Sequence, residues 1–181
     1  MKKYIFSSLI LAINTLAFGQ SFIPVDSGSL VKFRIKNFGF GVDGSFSGLQ
    51  GLIYFDPDNA VASSFDVSVD ANSVNTGNEM RDNHLKADGY FDVKNFSRIN
   101  LVSTRVEKLN KEGTFLISAK LTIKNHSKDL SFPFKAKASA DGFFFSGEFK
   151  LNRSDFGVGG SSTVSDNLNV LLEVFAKGIK K

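Results

Sequence analysis

The sequence predicts an all-β fold, an eight-stranded antiparallel barrel with one short helix. Three observations support this prediction: runs in which apolar and polar residues alternate, turn signals between those runs, and no helical segment of core-packing length between them. Closing such a sheet into a barrel removes its edges, and eight strands is a common small size. A β-sandwich is the alternative that the pattern leaves open.

Eight runs are expected as strands. In the first, Val31, Phe33 and Ile35 alternate with basic residues, which gives one apolar and one solvated face. Turn signals follow several of the runs, as at Asp56-Pro57 and Asp141-Gly142. The predicted strands are residues 29–37, 45–55, 64–74, 99–106, 114–123, 129–138, 143–152 and 167–177.

One polar segment interrupts the alternation. Thr76 or Asn78 is expected to cap a short helix that runs to about Leu85, and Gly89 stops it. Its ionisable residues are Glu79, Arg81, Asp82 and His84. An acid–base site around His84 is one interpretation, because histidine exchanges protons near neutral pH. We favour the other interpretation, a charged helix held on the rim of the barrel.

Composition excludes several classes of site. The chain has no Cys and two His, which excludes disulfides and thiolate nucleophiles and makes a His-rich metal centre unexpected. The net charge is +4, and the Phe that alternate in the predicted strands sit at buried phase rather than beside the basic residues, so nucleic acid is not an expected partner. Residues 39–44 match a dinucleotide fingerprint, but a strand follows them rather than a helix.

The first residues have the pattern of an export signal. Lys2 and Lys3 precede a mostly apolar stretch that ends at Ala17-Phe18-Gly19. This stretch is shorter than the ~20 residues of a membrane-spanning helix. We therefore predict a secretory signal over residues 1–19 and a mature domain over residues 20–181.

The apolar face of the predicted barrel permits two interiors. Barrels of this size are either filled by side chains or hold one small ligand. Small residues such as Ala119 and Gly147 on that face leave room beside the large ones, but a packed core uses small residues too. Alternation by itself does not decide between a cavity and a solid core.

Several motifs resemble the YceI-like family. They are TGNEMRDNHL at residues 76–85, YFD at 90–92, NRSDFG at 152–157, YFDP at 54–57 and LTIK at 121–124. The resemblance runs from about Val25 to Val174. It implies a lipocalin-like eight-stranded barrel, exported to the bacterial periplasm, that holds a polyisoprenoid or other long-chain amphiphile. The family has no established enzymatic activity.

The resemblance also implies a hollow interior and a set of site residues. Phe91 is expected to close one end, and Arg81, His84 and Arg153 to meet a polar or anionic head group at the mouth. We expect no catalytic residue, no metal and no cofactor apart from the bound lipid. The predicted wall of the tunnel is Phe33, Ile35, Phe65, Val67, Ile117, Phe132, Phe134, Phe143, Phe145 and Leu172.

Two other functions stay open at this point. A non-catalytic interaction or stress-related module with a filled barrel needs an exposed apolar patch, for which Phe38, Phe40 and Phe144 are candidates. An enzyme centred on His84 needs an acid within hydrogen-bond reach of the imidazole. Besides the lipid, two further interactions stay open: transient contact with a membrane and formation of a homodimer. The sequence does not identify the lipid or its head group, and it leaves open whether the protein transports, stores or senses that lipid.

Overall fold

The computed structural model describes residues 20–160 and 163–179 of the 181-residue chain, so the predicted signal at 1–19 lies outside the described residues. The strands are β1 (Gln20–Asn37), β2 (Phe40–Phe55), β3 (Ser64–Asn75), β4 (Arg98–Lys108), β5 (Thr114–Ile123), β6 (His126–Ser139), β7 (Gly142–Asn152) and β8 (Val164–Gly178). They form a closed antiparallel barrel in chain order, in which β1 also pairs with β8. The predicted barrel is confirmed, and the β-sandwich alternative is wrong because the sheet closes on itself.

The first strand is longer than predicted because a bulge interrupts its pattern. The prediction began at Ser29, whereas β1 begins at Gln20. The register between β1 and β8 shifts between Val25 and Leu30. Asp26 lies in this irregular segment, and its carboxylate accepts two backbone hydrogen bonds from β2. A bulge inserts extra residues into the strand, so the period of two is lost there.

The helix confirms the prediction for the polar segment. It is α1 (Glu79–Lys86), and the side chain of Asn78 caps it by accepting a hydrogen bond from the backbone N–H of Arg81 at 2.9 Å. Acidic Asp82 lies near its start and Lys86 at its end, as the helix dipole favours. Over residues 20–160 and 163–179, no helix is long and apolar enough to cross a membrane.

The two ends of the barrel are built differently. Short connections join β2 to β3, β4 to β5 and β6 to β7 at one end. The other end, which we call the helix end, carries α1, the β1–β2 turn at residues 38–39 and the 3-10 turn Arg153–Phe156. The two ends of the barrel are therefore covered by different kinds of connection.

Phenylalanine rings fill the end opposite the helix. Their centre is Phe55, which is buried. Three rings pack edge-on against the ring of Phe55, each with its centroid 5.1 Å from the Phe55 centroid: those of Phe115, Phe143 and Phe145. The ring of Phe22 packs edge-on against that of Phe143 at 5.2 Å. Edge-to-face pairs are a favoured aromatic geometry. We call Phe22, Phe55, Phe115 and Phe143 the aromatic plug, and this end the plugged end.

A second buried cluster holds the helix end together. Leu121 and Ile123, at the end of β5, pack with Phe156 and Val158 from the segment between β7 and β8. Residues 90–91, which follow α1, pack against the same cluster. The connections at this end are therefore fixed to the rim of the barrel by apolar contacts.

Candidate functional site

A cavity of about 600 Å³ occupies the barrel between the plugged end and the helix end. This volume is typical of sites for small molecules, which span ~300–1,000 Å³. Exposed Asn78, Met80 and His84 belong to its lining, so the cavity reaches the surface at the helix end. The interior is therefore neither wholly solid nor wholly hollow: rings fill one end, and open space occupies the rest.

The predicted wall residues lie around this cavity with one exception. The alternation along each strand points them inward, and together they give the cavity an apolar surface. Phe91, predicted to close one end, lines the helix end, where its ring meets that of Phe46 edge-on at 5.3 Å. The predicted residues found in the wall are Phe33, Ile35, Phe65, Val67, Ile117, Phe132, Phe134, Phe145 and Leu172.

Phe143 is the exception, because it does not belong to the wall of this cavity. Its ring belongs to the aromatic plug, between Phe22 and Phe55. Residue phase along a strand predicts which face a side chain occupies, but not how deep in the barrel it lies. Phe145, two residues further along β7, is in the wall. The floor of the cavity thus falls between these two residues.

The sequence analysis missed a second set of wall residues. Most lie inside the predicted strands at the same inward phase as the predicted wall residues, so following that phase along the whole of each strand would have found them. The missed residues include Val31, Val42, Phe46, Ile53, Leu121, Ile123, Phe149, Leu151, Leu168, Val170 and Val174. Polar wall residues were missed as well, because the prediction considered only apolar side chains: Asn37, Ser68, Asn100 and Ser146.

Arg81 lines the cavity while holding the start of α1. Its Nε donates to Oγ1 of Thr76 at 2.7 Å, and its Nη2 donates to the carbonyl of Thr76 at 2.9 Å. The same hydroxyl donates to the carboxylate of Asp82. Arg81, Thr76 and Asp82 therefore form one network that fixes the helix relative to the end of β3.

His84 lies at the mouth without an acid partner. Its ring packs edge-on against that of Tyr90 with centroids 4.7 Å apart, and both residues line the cavity. Asp82 accepts hydrogen bonds from Thr76, and among the described residues no acid is hydrogen-bonded to the imidazole. This geometry lacks the base–orienter pair that an acid–base site around His84 would need.

Arg153 also lines the cavity, but its guanidinium contacts other parts of the protein. It is buried at the start of the 3-10 turn. It donates to the carbonyls of Val158, Val164 and Ser165 and forms an ion pair with Asp166 at 3.0 Å. These contacts tie the segment between β7 and β8 to the first residues of β8. The prediction named this residue but gave it no structural role.

The chemistry available in this cavity is burial of an apolar chain. Removing apolar surface from water contributes ~25 cal/mol per Å². A long hydrocarbon in contact with such walls on all sides needs few polar contacts to bind. Arg81, His84 and Arg153 line the cavity at the helix end, where an amphiphile would place its head group.

Comparison with known proteins agrees with this architecture. Residues 24–176 match the model of the YceI-like domain family. A UPF0312 protein of Yersinia enterocolitica is 30% identical over 139 residues, covering 72% of this chain and 70% of that protein. The protein YceI of Salmonella arizonae is 30% identical over 138 residues, covering 72% of this chain and 71% of that protein.

Solved structures show the same fold. Burkholderia cenocepacia BcnA has a TM-score of 0.77 at 23% identity, covering 82% of this chain and 96% of that one. The Campylobacter jejuni YCEI protein has a TM-score of 0.67 at 26% identity and full coverage of both chains. A polyisoprenoid binding domain from Saccharophagus degradans has a TM-score of 0.70 at 14% identity, covering 89% and 99%. With the family model matched over most of its length, the chain belongs to the YceI-like domain family.

Proposed function

We propose that this protein binds a polyisoprenoid or other long-chain amphiphile, with the apolar tail in the barrel and the head group at the helix end. The observation that carries the proposal is the cavity of about 600 Å³, whose wall is built from inward-facing Phe, Val, Leu and Ile. Such a lining stabilises a hydrocarbon chain and offers little to a polar substrate. We propose a carrier or storage role, without catalysis.

The family supports this choice of ligand. One structural neighbour is described as a polyisoprenoid binding domain. A ligand of that kind matches the cavity because an isoprenoid tail presents only apolar surface. A filled barrel is the interior that an interaction or stress-related module would have, and the open cavity argues against it.

The exposed aromatic residues do not form one patch. Phe144 packs against Phe175 with ring centroids 4.7 Å apart, and both lie near the plugged end. Phe38 and Phe40 lie in and beside the β1–β2 turn, at the helix end, where they are 72% and 78% exposed. The contiguous surface that an interaction module would use is therefore split between opposite ends of the barrel.

Transient membrane contact through this turn is part of the proposal. Phe38 has a φ of 49°, a conformation that favours Asn or Gly in a tight hairpin. Neither backbone preference nor burial accounts for an exposed Phe there. Two rings that bury ~150–250 Å² each fall short of the ~800 Å² per partner of a stable protein interface. Insertion into a bilayer does not require a minimum buried area of that kind. The turn also lies at the helix end, through which a lipid would pass.

Native mass spectrometry of the protein purified from its own cells tests binding. Two matched variants locate the ligand: Val67→Phe adds a ring inside the cavity, and Val102→Phe adds one on the outer face of the adjacent strand, where Val102 is exposed. We expect a bound lipid-sized mass on the parent protein and on Val102→Phe, and a reduced occupancy on Val67→Phe. No bound mass on the parent, or equal occupancy in both variants, would contradict the proposal.

Export to the periplasm is proposed from the pattern of the first residues. The measurement is the mass of the protein recovered from the periplasmic fraction, which we expect to begin at Gln20. Recovery in the cytoplasm with Met1 and the following residues attached would contradict it. The homodimer stays a prediction.

A further inference from the structure

One polar atom in the cavity wall has no partner. Asn37 is the last residue of β1, where it pairs with Phe40 of β2 and Val164 of β8. It shares the inward phase of Phe33 and Ile35, and it lines the cavity. Its Oδ1 is buried and accepts no hydrogen bond from any residue in the described part of the chain.

An unpaired buried carbonyl is unfavourable for the free protein. Leaving such an acceptor unsatisfied costs ~1–3 kcal/mol, and native proteins contain few of them. Ile35 and Val42, the neighbours of Asn37 in the wall on β1 and β2, are aliphatic and have no side-chain donor. A Leu at this position would continue the apolar wall without that penalty. The amide is therefore suited to a donor that arrives with a ligand.

The two arginines that line the cavity are already engaged. Nε and Nη2 of Arg81 donate to Thr76. The guanidinium of Arg153 donates to backbone carbonyls and pairs with Asp166. Neither guanidinium needs a head group to satisfy these contacts, whereas the carbonyl of Asn37 does. Among these three residues, the unmet requirement is for a hydrogen-bond donor rather than for an anion.

We propose that the side-chain amide of Asn37 turns into the cavity when a ligand binds, so that its Oδ1 accepts a hydrogen bond from an O–H or N–H of a neutral head group and selects among ligands with the same tail. This inference rests on the proposed lipid-binding function and adds the chemistry of the head group to it. A hydroxyl satisfies the amide, while an ether oxygen at the same place has no hydrogen to donate.

A matched pair of probes isolates this one hydrogen bond. Geranylgeraniol and its methyl ether have the same tail, and only the alcohol is a donor. We expect the parent protein to bind the alcohol about tenfold more tightly in a fluorescence displacement titration, which is the effect of one satisfied buried hydrogen bond. Asn37→Leu should bind both probes equally, with no loss of affinity for the ether. Lys36→Leu is the control, because Lys36 is exposed on the outer face, and it should keep the tenfold preference.

The outcomes separate this inference from the proposed function. Equal affinity of the parent protein for the two probes overturns the role of Asn37 while leaving lipid binding intact. A tenfold preference that survives in Asn37→Leu overturns it as well. Binding of neither probe contradicts the proposed function itself. The comparison of probes on the parent protein needs no variant, so it holds even if Asn37→Leu does not fold.

Discussion

The ring of Phe33 lies directly over Gly44 on the neighbouring strand. The two residues are paired in the β1–β2 register, and a Cβ at Gly44 would lie 2.1 Å from Cζ of Phe33. No heavy atom fits at that distance, so the ring can occupy this place only because residue 44 has no side chain. The glycine thus keeps a large wall residue close to the sheet and out of the cavity.

Gly44→Ala should therefore narrow the cavity. The new methyl group displaces the ring of Phe33 inward, and such overpacking typically costs about 1–3 kcal/mol. We expect a lower thermal midpoint and reduced lipid occupancy by native mass spectrometry. Gly89→Ala is the control, since a Cβ there meets no atom within 4 Å, and it should behave like the parent. Unchanged occupancy in Gly44→Ala would show that the ring moves elsewhere.

The aromatic plug should dominate stability. Phe55→Ala removes the ring at its centre, and a large-to-small change of this kind costs about 3–5 kcal/mol. Denaturant unfolding measures this free energy. Phe40→Ala removes a ring that is 78% exposed and should change stability by less than about 0.5 kcal/mol. Similar values for the two variants would mean that the plug is not the rigid core of the barrel.

Arg153 should resist even a conservative change. Arg153→Lys keeps the charge but loses the planar set of donors that reaches three carbonyls at once. We expect a loss of about 2–4 kcal/mol, because buried carbonyls are left without donors. Arg105→Lys is the matched control, as Arg105 pairs with Glu107 on the exposed surface. Hydrogen exchange should locate the loosened amides in the segment between β7 and β8.

Phe38→Asn should separate stability from membrane contact. Asn tolerates the positive φ of this turn better than Phe, so the variant should gain up to about 1 kcal/mol of stability. Transfer of lipid to phosphatidylethanolamine–phosphatidylglycerol vesicles should nevertheless slow down. Val61→Asn removes a residue that is 73% exposed near the plugged end and should leave transfer unchanged. Equal transfer rates in all three proteins would contradict membrane contact through the turn.

Much of the wall could be predicted from the sequence because strand phase is a local property. Phe33 and Ile35 point inward for the same reason that their basic neighbours point outward. Depth is not local: Phe143 and Phe145 have the same phase, yet one belongs to the plug and the other to the wall. Their difference depends on where the strands of the whole barrel begin and end.

The sequence also did not predict which polar side chains find hydrogen-bond partners inside the protein. Arg153 was predicted to meet a head group, but its partners come from a segment whose path depends on the closed barrel. Asn37 was not singled out at all, since a polar residue at the end of a strand is common and only the structure shows its carbonyl buried. The bulge near Asp26 hid the start of β1 for a similar reason: the extra residues break the pattern that marks a strand.

The ring cluster around Phe55 closes the barrel at the plugged end. For the lipid that we propose, entry and exit would then share the helix end, so the tail would enter first and the head group would leave first. An acceptor membrane or protein would contact the head group while the tail was still in the barrel, which would give the transfer a fixed direction.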